Sequence, residues 1–193
     1  MKNKINDIIL RMTGLCFIKP SPKHSIRFAK DYFMGRKVKV VEIGTYKGEN
    51  AKQMFKHLEI DEAYLIDPYK EYSDGRHDGC QNYKKEIYLQ KAKKMAHKLL
   101  QSHRNVTWIE MFSDKAVEVI STVDFIYIDG EHTYDQVMKD LENYYPKLDK
   151  CGIIAGHDIS IHQVLNAVQD FCSKNKLHFC VAGQDWWIVK QWN

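Results

Sequence analysis

Short apolar runs alternate with amphipathic segments through most of the chain. The apolar runs predict strands at 37–43, 63–66, 106–111, 123–128, 152–156, 177–181 and 186–190. Segments with helical spacing follow the first five runs, and Gly183-Gln184-Asp185 permits a hairpin between the last two. Alternating strands and helices pair in parallel through right-handed crossovers. The predicted fold class is therefore α/β: a seven-stranded, mostly parallel sheet with a C-terminal antiparallel hairpin and helices on both faces.

The residues before the first strand predict helices. One amphipathic helix is expected over 4–17, ended by Pro20-Ser21-Pro22. Ser21 is placed to cap a second helix that has Pro22 at its first position and runs to about Phe33. Arg11 interrupts the apolar part of this region and no small-residue cleavage site follows, which disfavours a signal peptide. We expect an N-terminal helical cap over 1–36 and one globular unit over 37–193.

A polar, glycine-containing segment over 69–81 predicts a loop of functional length. The helix predicted after it, over 82–102, has an apolar stripe composed of Tyr88, Ala92, Met95, Ala96 and Leu99.

Size and composition are those of a globular domain. The chain has 193 residues, 44% of them hydrophobic and 28% charged, which is enough for a full core. The five cysteines are odd in number and form no C-x-x-C pair, which favours reduced thiols and a cytoplasmic protein. No apolar run is long enough to span a membrane, and a net charge of +4 is weak evidence for nucleic acid. We therefore expect neither a membrane nor a nucleic acid as a partner. The sequence is compatible with a homo-oligomer.

Two predicted strands end in residues that bind cations or carry protons. The run 123–128 is followed by Asp129 and His132, and the run 152–156 by His157 and Asp158. The helix between them makes a β-α-β unit, so both strands end at one edge of the sheet. Neighbouring strands lie about 5 Å apart, so these acids and histidines are predicted to converge at an edge where ligands bind.

Simpler roles remain open for the same residues. His132 can cap the helix that begins near Thr133, and His157-Asp158 can cap the helix near 160. Asp129 can be a turn residue without a chemical role.

A glycine-containing turn follows the first strand. Its residues, 42–48, read E-x-G-x-x-x-G between a strand and a helix, and glycine lets the backbone turn sharply and approach a ligand. The spacing matches neither a dinucleotide fingerprint nor a Walker loop, and an acid before the turn suits an ammonium-bearing ligand without phosphate. Asp67 ends the next strand, where an acid can accept both hydroxyls of a ribose. Each signal is weak alone and stronger in combination.

The segments VEIGTYKGEN and LIDPY together resemble the class I S-adenosylmethionine-dependent methyltransferases. The segment IDGEHTYDQVMKDLENYYPKLDKCGIIAGHD resembles the metal-dependent sugar O-methyltransferases of that class, which include relatives of macrolide-sugar methyltransferases and of the cephalosporin-hydroxylase-like family. The resemblance covers residues 37–191. It implies a Rossmann-like sheet, S-adenosylmethionine as cofactor, and a divalent cation that is usually Mg²⁺.

The resemblance also implies a role for each matching residue. The cofactor would be bound by Glu42, Gly44, Thr45, Gly48, Asp67, Ser113 and Asp129, with Glu42 and the glycines at the methionine end, Asp67 at the ribose and Ser113 near the adenine. Asp129, His157 and Asp158 would hold the metal, and His132 would act as general base with Asp129 as its catalytic neighbour. The relatives tend to have an acid at position 157. Oxygen ligands suit Mg²⁺, whereas an imidazole favours Mn²⁺, Fe²⁺ or Zn²⁺.

The sequence thus predicts an enzyme that transfers a methyl group from S-adenosylmethionine to a hydroxyl of a small molecule, such as a sugar, with divalent-metal assistance. One alternative is a metal-independent methyltransferase on RNA or protein, although I-D-G-E stands where such enzymes carry N-P-P-Y. Another is a non-catalytic adenosyl-binding partner subunit. A metal-dependent glycosyltransferase is disfavoured because no D-x-D follows a strand. The acceptor pocket is expected from 69–81, the N-terminal helices and Trp186-Trp187, an aromatic pair that either stacks on a sugar or belongs to the core or to a dimer contact.

Overall fold

A computed structural model describes residues 22–70 and 86–191 of the chain. Its centre is a seven-stranded sheet in the order β3-β2-β1-β4-β5-β7-β6. The strands are β1 (Val38–Ile43), β2 (Ile60–Ile66), β3 (Val106–Ile109), β4 (Val123–Ile128), β5 (Leu148–Gly156), β6 (Cys180–Ala182) and β7 (Asp185–Val189). Strand β7 runs antiparallel to β5 and β6, and the other pairs are parallel. The predicted fold class is confirmed: a Rossmann-like α/β sheet with a C-terminal antiparallel hairpin.

Helices cover both faces of this sheet. They are α1 (His24–Phe33), α2 (Glu49–His57), α3 (Glu86–Leu100), α4 (Ser113–Ala116), α5 (Tyr134–Tyr144) and α6 (His162–Asn175), with short 3₁₀ turns at Val117–Val119 and Tyr145–Lys147. Successive strand residues point to opposite faces. In β4, Phe125 packs on the side of α1 and α2, whereas Ile126 packs on the side of α5 and α6. The sheet therefore has a separate hydrophobic core on each of its faces.

Several predicted boundaries are wrong by a few residues. Strand β5 begins at Leu148, not at 152, and β2 begins at Ile60, not at 63. Helix α1 begins at His24 with Lys23 as its N-cap, so Pro22 lies outside the helix. The cap comes from a distant residue: Asp185 Oδ2 accepts the backbone N–H of Ser25 at 2.9 Å and its hydroxyl at 2.8 Å. The predicted helix over 4–17, Ser21 and most of loop 69–81 lie outside the described residues.

The apolar stripe predicted for the long helix is partly wrong. Ala92 and Ala96 are buried in α3, but Tyr88 is 56% and Met95 50% exposed. The buried stripe is made of Ala92, Ala96 and Leu100 because α3 lies very close to the glycine turn. A Cβ at Gly48 would stand 3.2 Å from the Cα of Ala96, so only small side chains fit between them.

Trp186 and Trp187 belong to the core. Trp186 is fully buried, and Trp187 is 9% exposed and stacks on Phe28 with ring centroids 5.1 Å apart. The alternative in which this pair stacks on a sugar is therefore excluded.

The cysteines among the described residues form no disulfide. Cys151, Cys172 and Cys180 are free there. Within 22–70 and 86–191, no helix combines the length and apolar character needed to cross a bilayer.

Gly44 lies where the turn after β1 meets the end of β4. Its φ is +90°, and a Cβ built on it would stand 2.1 Å from the carbonyl oxygen of Asp129. The Asp129 N–H in turn donates to the Ile43 carbonyl at 2.8 Å. Glycine is required here both by the backbone angle and by the contact.

A pair of glycine substitutions separates these two requirements. Gly35 also has a positive φ, +77°, but nothing lies within 4 Å of its virtual Cβ. We expect Gly35→Ala to cost about 1–2 kcal/mol of unfolding free energy from the backbone angle alone. Gly44→Ala should cost at least about 3 kcal/mol, because the sheet edge must also move apart. Urea unfolding of both variants measures the difference, and equal losses would show that the Asp129 contact imposes no constraint.

Candidate active site

The carboxyl ends of β1, β2, β4 and β5 form one ridge of loops. Backbone hydrogen bonds join these loops: the Gly44 N–H donates to Ile66 O at 2.9 Å, and the His157 N–H donates to Ile128 O at 3.2 Å. Strands β1, β4 and β5 are direct neighbours. The parallel pairing predicted from the sequence thus brings Asp129 and Asp158 to adjacent positions at one edge.

Asp129, His132 and Asp158 form a compact group at this edge. One ligand atom from each lies within 4.8 Å of the others. His132 Nε2 is 3.1 Å from Asp158 Oδ2 and 3.9 Å from Asp129 Oδ1. Yet this buried nitrogen makes no hydrogen bond of acceptable angle within the part of the chain that the structure describes. When the ring is protonated, Nε2 forms ion pairs with these carboxylates; when the ring is neutral, the same nitrogen can share a cation with their oxygens.

His157 lies beside this group but is not one of its members. Its Nδ1 accepts the backbone N–H of Asp158 at 2.7 Å, and its carbonyl accepts the indole N–H of Trp186 at 3.2 Å. The first bond fixes the ring, and the second fixes the backbone of the loop. Its predicted role as a metal ligand stays a prediction, and His132 is the imidazole that the structure places between the two acids.

The capping alternatives are not observed. Helix α5 has Thr133 as N-cap without a side-chain cap, and the Tyr134 N–H donates to Gln163 Oε1 at 2.8 Å. Helix α6 has Ile161 as N-cap, also without a side-chain cap. Asp158 instead has a left-handed φ of +58°. Left-handed backbone at a non-glycine residue is concentrated at functional loops.

Lys23 is a site residue that the sequence reasoning missed. Its Nζ donates to Asp129 Oδ2 at 2.8 Å and lies 4.8 Å from the centre of the Tyr127 ring. Lys23 precedes Asp129 by 106 positions, and a lysine at the start of a helix carries no local signal for such a contact. Only the tertiary placement of α1 shows it.

The group is balanced in charge around neutral pH. Burial opposes ionisation of Asp129, but the His132 imidazole and the Lys23 ammonium outweigh it and bring the pKa of Asp129 down to about 2. Contact with His132 also lowers the pKa of Asp158. Asp129 and Asp158 together raise the pKa of His132 to about 9. Without a bound metal, two carboxylates thus face two cations.

The glycine turn contains a buried acid with an unused oxygen. Glu42 is fully buried, and its Oε1 accepts the Asn50 amide at 2.8 Å. Glu42 Oε2 and Thr45 Oγ1 have no hydrogen-bond partner among the described residues. Burial raises the pKa of Glu42 to about 8. Unpaired buried polar atoms are costly, so a turn that holds two of them is built for a polar ligand.

Asp67 is held by the backbone of the same ridge. Its Oδ2 accepts the Tyr46 N–H and its Oδ1 accepts the Tyr69 N–H, both at 2.8 Å. The Tyr69 hydroxyl donates back to Tyr46 O at 2.9 Å. Each carboxylate oxygen has a second lone pair, so the predicted ribose contact stays compatible with this arrangement.

Ser113 is turned toward helix α5. Its hydroxyl donates to Asp140 Oδ1 at 2.6 Å, and Gln136 Nε2 donates to the same oxygen at 3.0 Å. The Tyr144 hydroxyl donates to Ser113 O at 2.7 Å. Burial raises the pKa of Asp140 to about 7. The side chain predicted to contact an adenine is therefore already used to fix the loop after β3.

Comparison with known proteins agrees with this fold. The O-methyltransferase NovP superposes with a TM-score of 0.65 at 13% identity, over 87% of this chain and 78% of that protein. The calicheamicin methyltransferase CalS11 gives 0.62 at 12% identity, over 86% and 77%. The precorrin 8W decarboxylase of Methanobacterium thermoautotrophicum gives 0.60 at 13% identity, over 89% and 91%. At these identities the likeness is one of fold, and the decarboxylase shows that the fold alone does not fix the reaction.

The family is established by the sequence itself. Comparison with curated protein sequences finds no match. Residues 41–159, however, match the family model described as a methyltransferase domain, methyltransferase family 24. The match includes the glycine turn, Asp67 and the group at the ends of β4 and β5, and it confirms the resemblance drawn from the motifs. The chain belongs to this family of S-adenosylmethionine-dependent methyltransferases.

Proposed function

We propose that the protein is an O-methyltransferase that methylates a hydroxyl of a small molecule, for example a sugar, with the help of a divalent cation. The observation that carries the proposal is the convergence of Asp129, His132 and Asp158 within 4.8 Å of one another at the carboxyl edge of the sheet. This edge also contains the glycine turn. An acceptor held at the group would therefore lie beside the methyl donor.

The donor set fits a divalent cation. Two carboxylates and one imidazole suit Mn²⁺, Fe²⁺ or Zn²⁺, and also accept Mg²⁺. His132 Nε2 is buried and faces both carboxylates, so a cation held by their oxygens would also be within reach of this nitrogen once the ring is neutral. A bound cation supplies Lewis acidity, which lowers the pKa of a coordinated hydroxyl. Asp129 and Asp158 would hold the cation, and the protein's part is to orient the acceptor oxygen toward the donor methyl group.

His132 has two competing roles, and one nitrogen cannot serve both. As a ligand, Nε2 binds the cation; as a base, it takes the proton of the acceptor hydroxyl. Because Nε2 faces both carboxylates, we favour the ligand role. The raised pKa of His132 does not separate the two roles, because the imidazolium must lose its Nε2 proton before it can either bind a cation or accept a proton.

The cofactor is proposed to lie along the glycine turn. Glu42 Oε2 and Thr45 Oγ1 are unpaired and suit the ammonium and carboxylate end of S-adenosylmethionine. Gly44 and Gly48 keep the backbone free of side chains there. Asp67 would accept the ribose hydroxyls and the loop at Ser113 would border the adenine, although the Ser113 hydroxyl itself is already bonded.

The small-molecule acceptor is supported by the neighbours in fold. One of them is named an O-methyltransferase and another a calicheamicin methyltransferase. Helix α1 is proposed to border the acceptor side, because its N-cap residue, Lys23, reaches Asp129.

Chelation tests the metal requirement. We expect EDTA-treated protein to lose at least about tenfold in methyl transfer to a panel of sugars and catechols, because the coordinated hydroxyl is no longer activated. Release of S-adenosylhomocysteine measures the transfer, and Mn²⁺ or Mg²⁺ should restore it. Asp158→Asn should behave like the chelated enzyme, with Asp61→Asn at an exposed position as its control. Full transfer in EDTA would show that the reaction needs no metal.

A substitution at His132 distinguishes ligand from base. If Nε2 is a ligand, His132→Ala should weaken Mn²⁺ binding by at least about tenfold, with a smaller loss of kcat at saturating Mn²⁺. If it is a base, kcat should fall about 10²-fold or more at unchanged Mn²⁺ affinity. Electron paramagnetic resonance of Mn²⁺ and steady-state kinetics measure the two quantities. His162→Ala, at an exposed position, is the control.

Glu42 links stability to cofactor binding. A carboxyl whose pKa rises on folding from 4.5 to about 8 stabilises the fold below pH 4.5, and this contribution disappears as the pH rises through about 8. Between about pH 4.5 and 8, Glu42→Gln should therefore become more stable relative to the unliganded wild type by roughly 3–5 kcal/mol. Urea unfolding at both pH values measures this shift, and the exposed Glu118→Gln should show none.

The same variant should bind S-adenosylmethionine more weakly. A neutral amide loses the charge that would pair with the cofactor ammonium, so we expect at least about a tenfold higher Kd by calorimetry. Unchanged affinity would remove Glu42 from the proposed cofactor site.

A further inference from the structure

We propose that the ammonium group of Lys23 and a divalent cation compete for the carboxylate of Asp129. Lys23 would then be the resident cation of the site when no metal is bound, and would set how tightly a metal binds. The inference rests on the proposed function, since it concerns the same metal group.

The placement of Lys23 is built into the fold. Helix α1 starts directly after Lys23, and its second residue, Ser25, gives both its N–H and its hydroxyl proton to the buried carboxylate of Asp185. The Tyr127 hydroxyl donates to the other oxygen of Asp185 at 3.3 Å. Asp185 therefore ties the start of α1 to β4 and β7.

The side chain of Lys23 is held at its backbone by the start of α1 and at its ammonium group by Tyr127 and Asp129. Its Nζ lies against the Tyr127 ring, and 26% of the side chain is exposed. Nζ reaches Asp129 Oδ2 at 2.8 Å in this position. Such support distinguishes this pair from a surface ion pair, in which two flexible side chains meet in solvent.

Two cations on one carboxylate repel each other. A unit charge and a double charge separated by about 5 Å oppose joint binding by more than tenfold even in the dielectric of water, and by more in a partly buried site. Asp129 has one oxygen bonded to Lys23 and the other, Oδ1, directed toward His132. A metal ion at the group must therefore either displace the ammonium or bind against its field.

An opposite effect must be weighed. A hydrogen bond from outside the metal group can orient a ligand, and its loss typically weakens metal binding by 10–100-fold. Here the orientation of Asp129 does not depend on Lys23 alone. Its backbone N–H is bonded to Ile43 O, and the loop is fixed by the contact with Gly44. Removal of the positive charge should therefore dominate, and metal binding should become tighter.

The direct test is Mn²⁺ affinity measured by electron paramagnetic resonance on the full chain. We expect Lys23→Met to bind Mn²⁺ at least tenfold more tightly than the wild type, because the competing charge is gone. Lys23→Arg keeps the charge and should stay within threefold of the wild type. Lys30→Met removes an exposed lysine of helix α1 and should also stay within threefold of the wild type.

The outcomes separate this inference from the proposed function. If Lys23→Met binds Mn²⁺ as tightly as the wild type or less tightly, competition is refuted while the metal site stands. If Lys23→Met binds Mn²⁺ and the wild type does not, the ammonium of Lys23 excludes the metal from the site, which supports competition. If no variant binds Mn²⁺, the inference fails together with the metal part of the proposed function, and methyl transfer in EDTA then shows whether the enzyme works without metal.

A second measurement uses only the wild type, so it does not depend on a variant that folds. Reductive methylation of lysines, quantified by mass spectrometry, reports how accessible each amine is. Saturating Mg²⁺ should raise the labelling of Lys23 at least threefold relative to Lys30, because the displaced ammonium leaves its carboxylate. Unchanged labelling of Lys23 in the presence of bound Mg²⁺ would overturn the proposal.

Discussion

The close approach of the Gly44 backbone to the carbonyl of Asp129 is the constraint on which the whole edge depends. Strands β1 and β4 are neighbours, and their loops meet with too little space for a Cβ. This contact fixes the start of the Asp129 loop relative to the glycine turn. Since β5 is the other neighbour of β4, the Asp158 loop is fixed in the same frame. One parallel register thus places a buried acid, a glycine turn and two carboxylates along a single ridge.

Charge compensation explains why this ridge is stable before anything binds. Two carboxylates so close together would repel, and like charges in one site normally force one of them to stay protonated. Here His132 lies between them, and the Lys23 ammonium donates a hydrogen bond to Oδ2 of Asp129. The low pKa of Asp129, about 2, is the result. Asp129 and Asp158 therefore stay ionised across the physiological pH range. The ionised carboxylate is the form that binds a metal ion or accepts a proton.

The sequence predicts what depends on local pattern and strand order. Apolar runs predict the strands, and parallel pairing of β4 with β5 predicts that Asp129 and Asp158 lie at one edge. It could not predict contacts that depend on how a distant helix docks. Lys23 reaches Asp129, and Asp185 caps α1, only because α1 packs against β7. The exposed Tyr88 and Met95 show the same limit, since the rotation of α3 is set by its small residues against Gly48.

The buried Glu42 indicates how the unliganded protein is tuned toward its cofactor. A carboxyl with one unpaired oxygen inside a core destabilises the fold once it ionises, and the raised pKa of about 8 expresses that cost. In the proposed placement of S-adenosylmethionine, its ammonium and sulfonium would bring positive charge to Glu42, and binding would offset this cost. The group of Asp129, His132 and Asp158 has the opposite arrangement, because there the protein supplies its own positive charges on Lys23 and His132. The two halves of the ridge thus differ in charge balance, because one oxygen of the buried Glu42 has no hydrogen-bond partner among the described residues, whereas Asp129 is bonded to an ammonium.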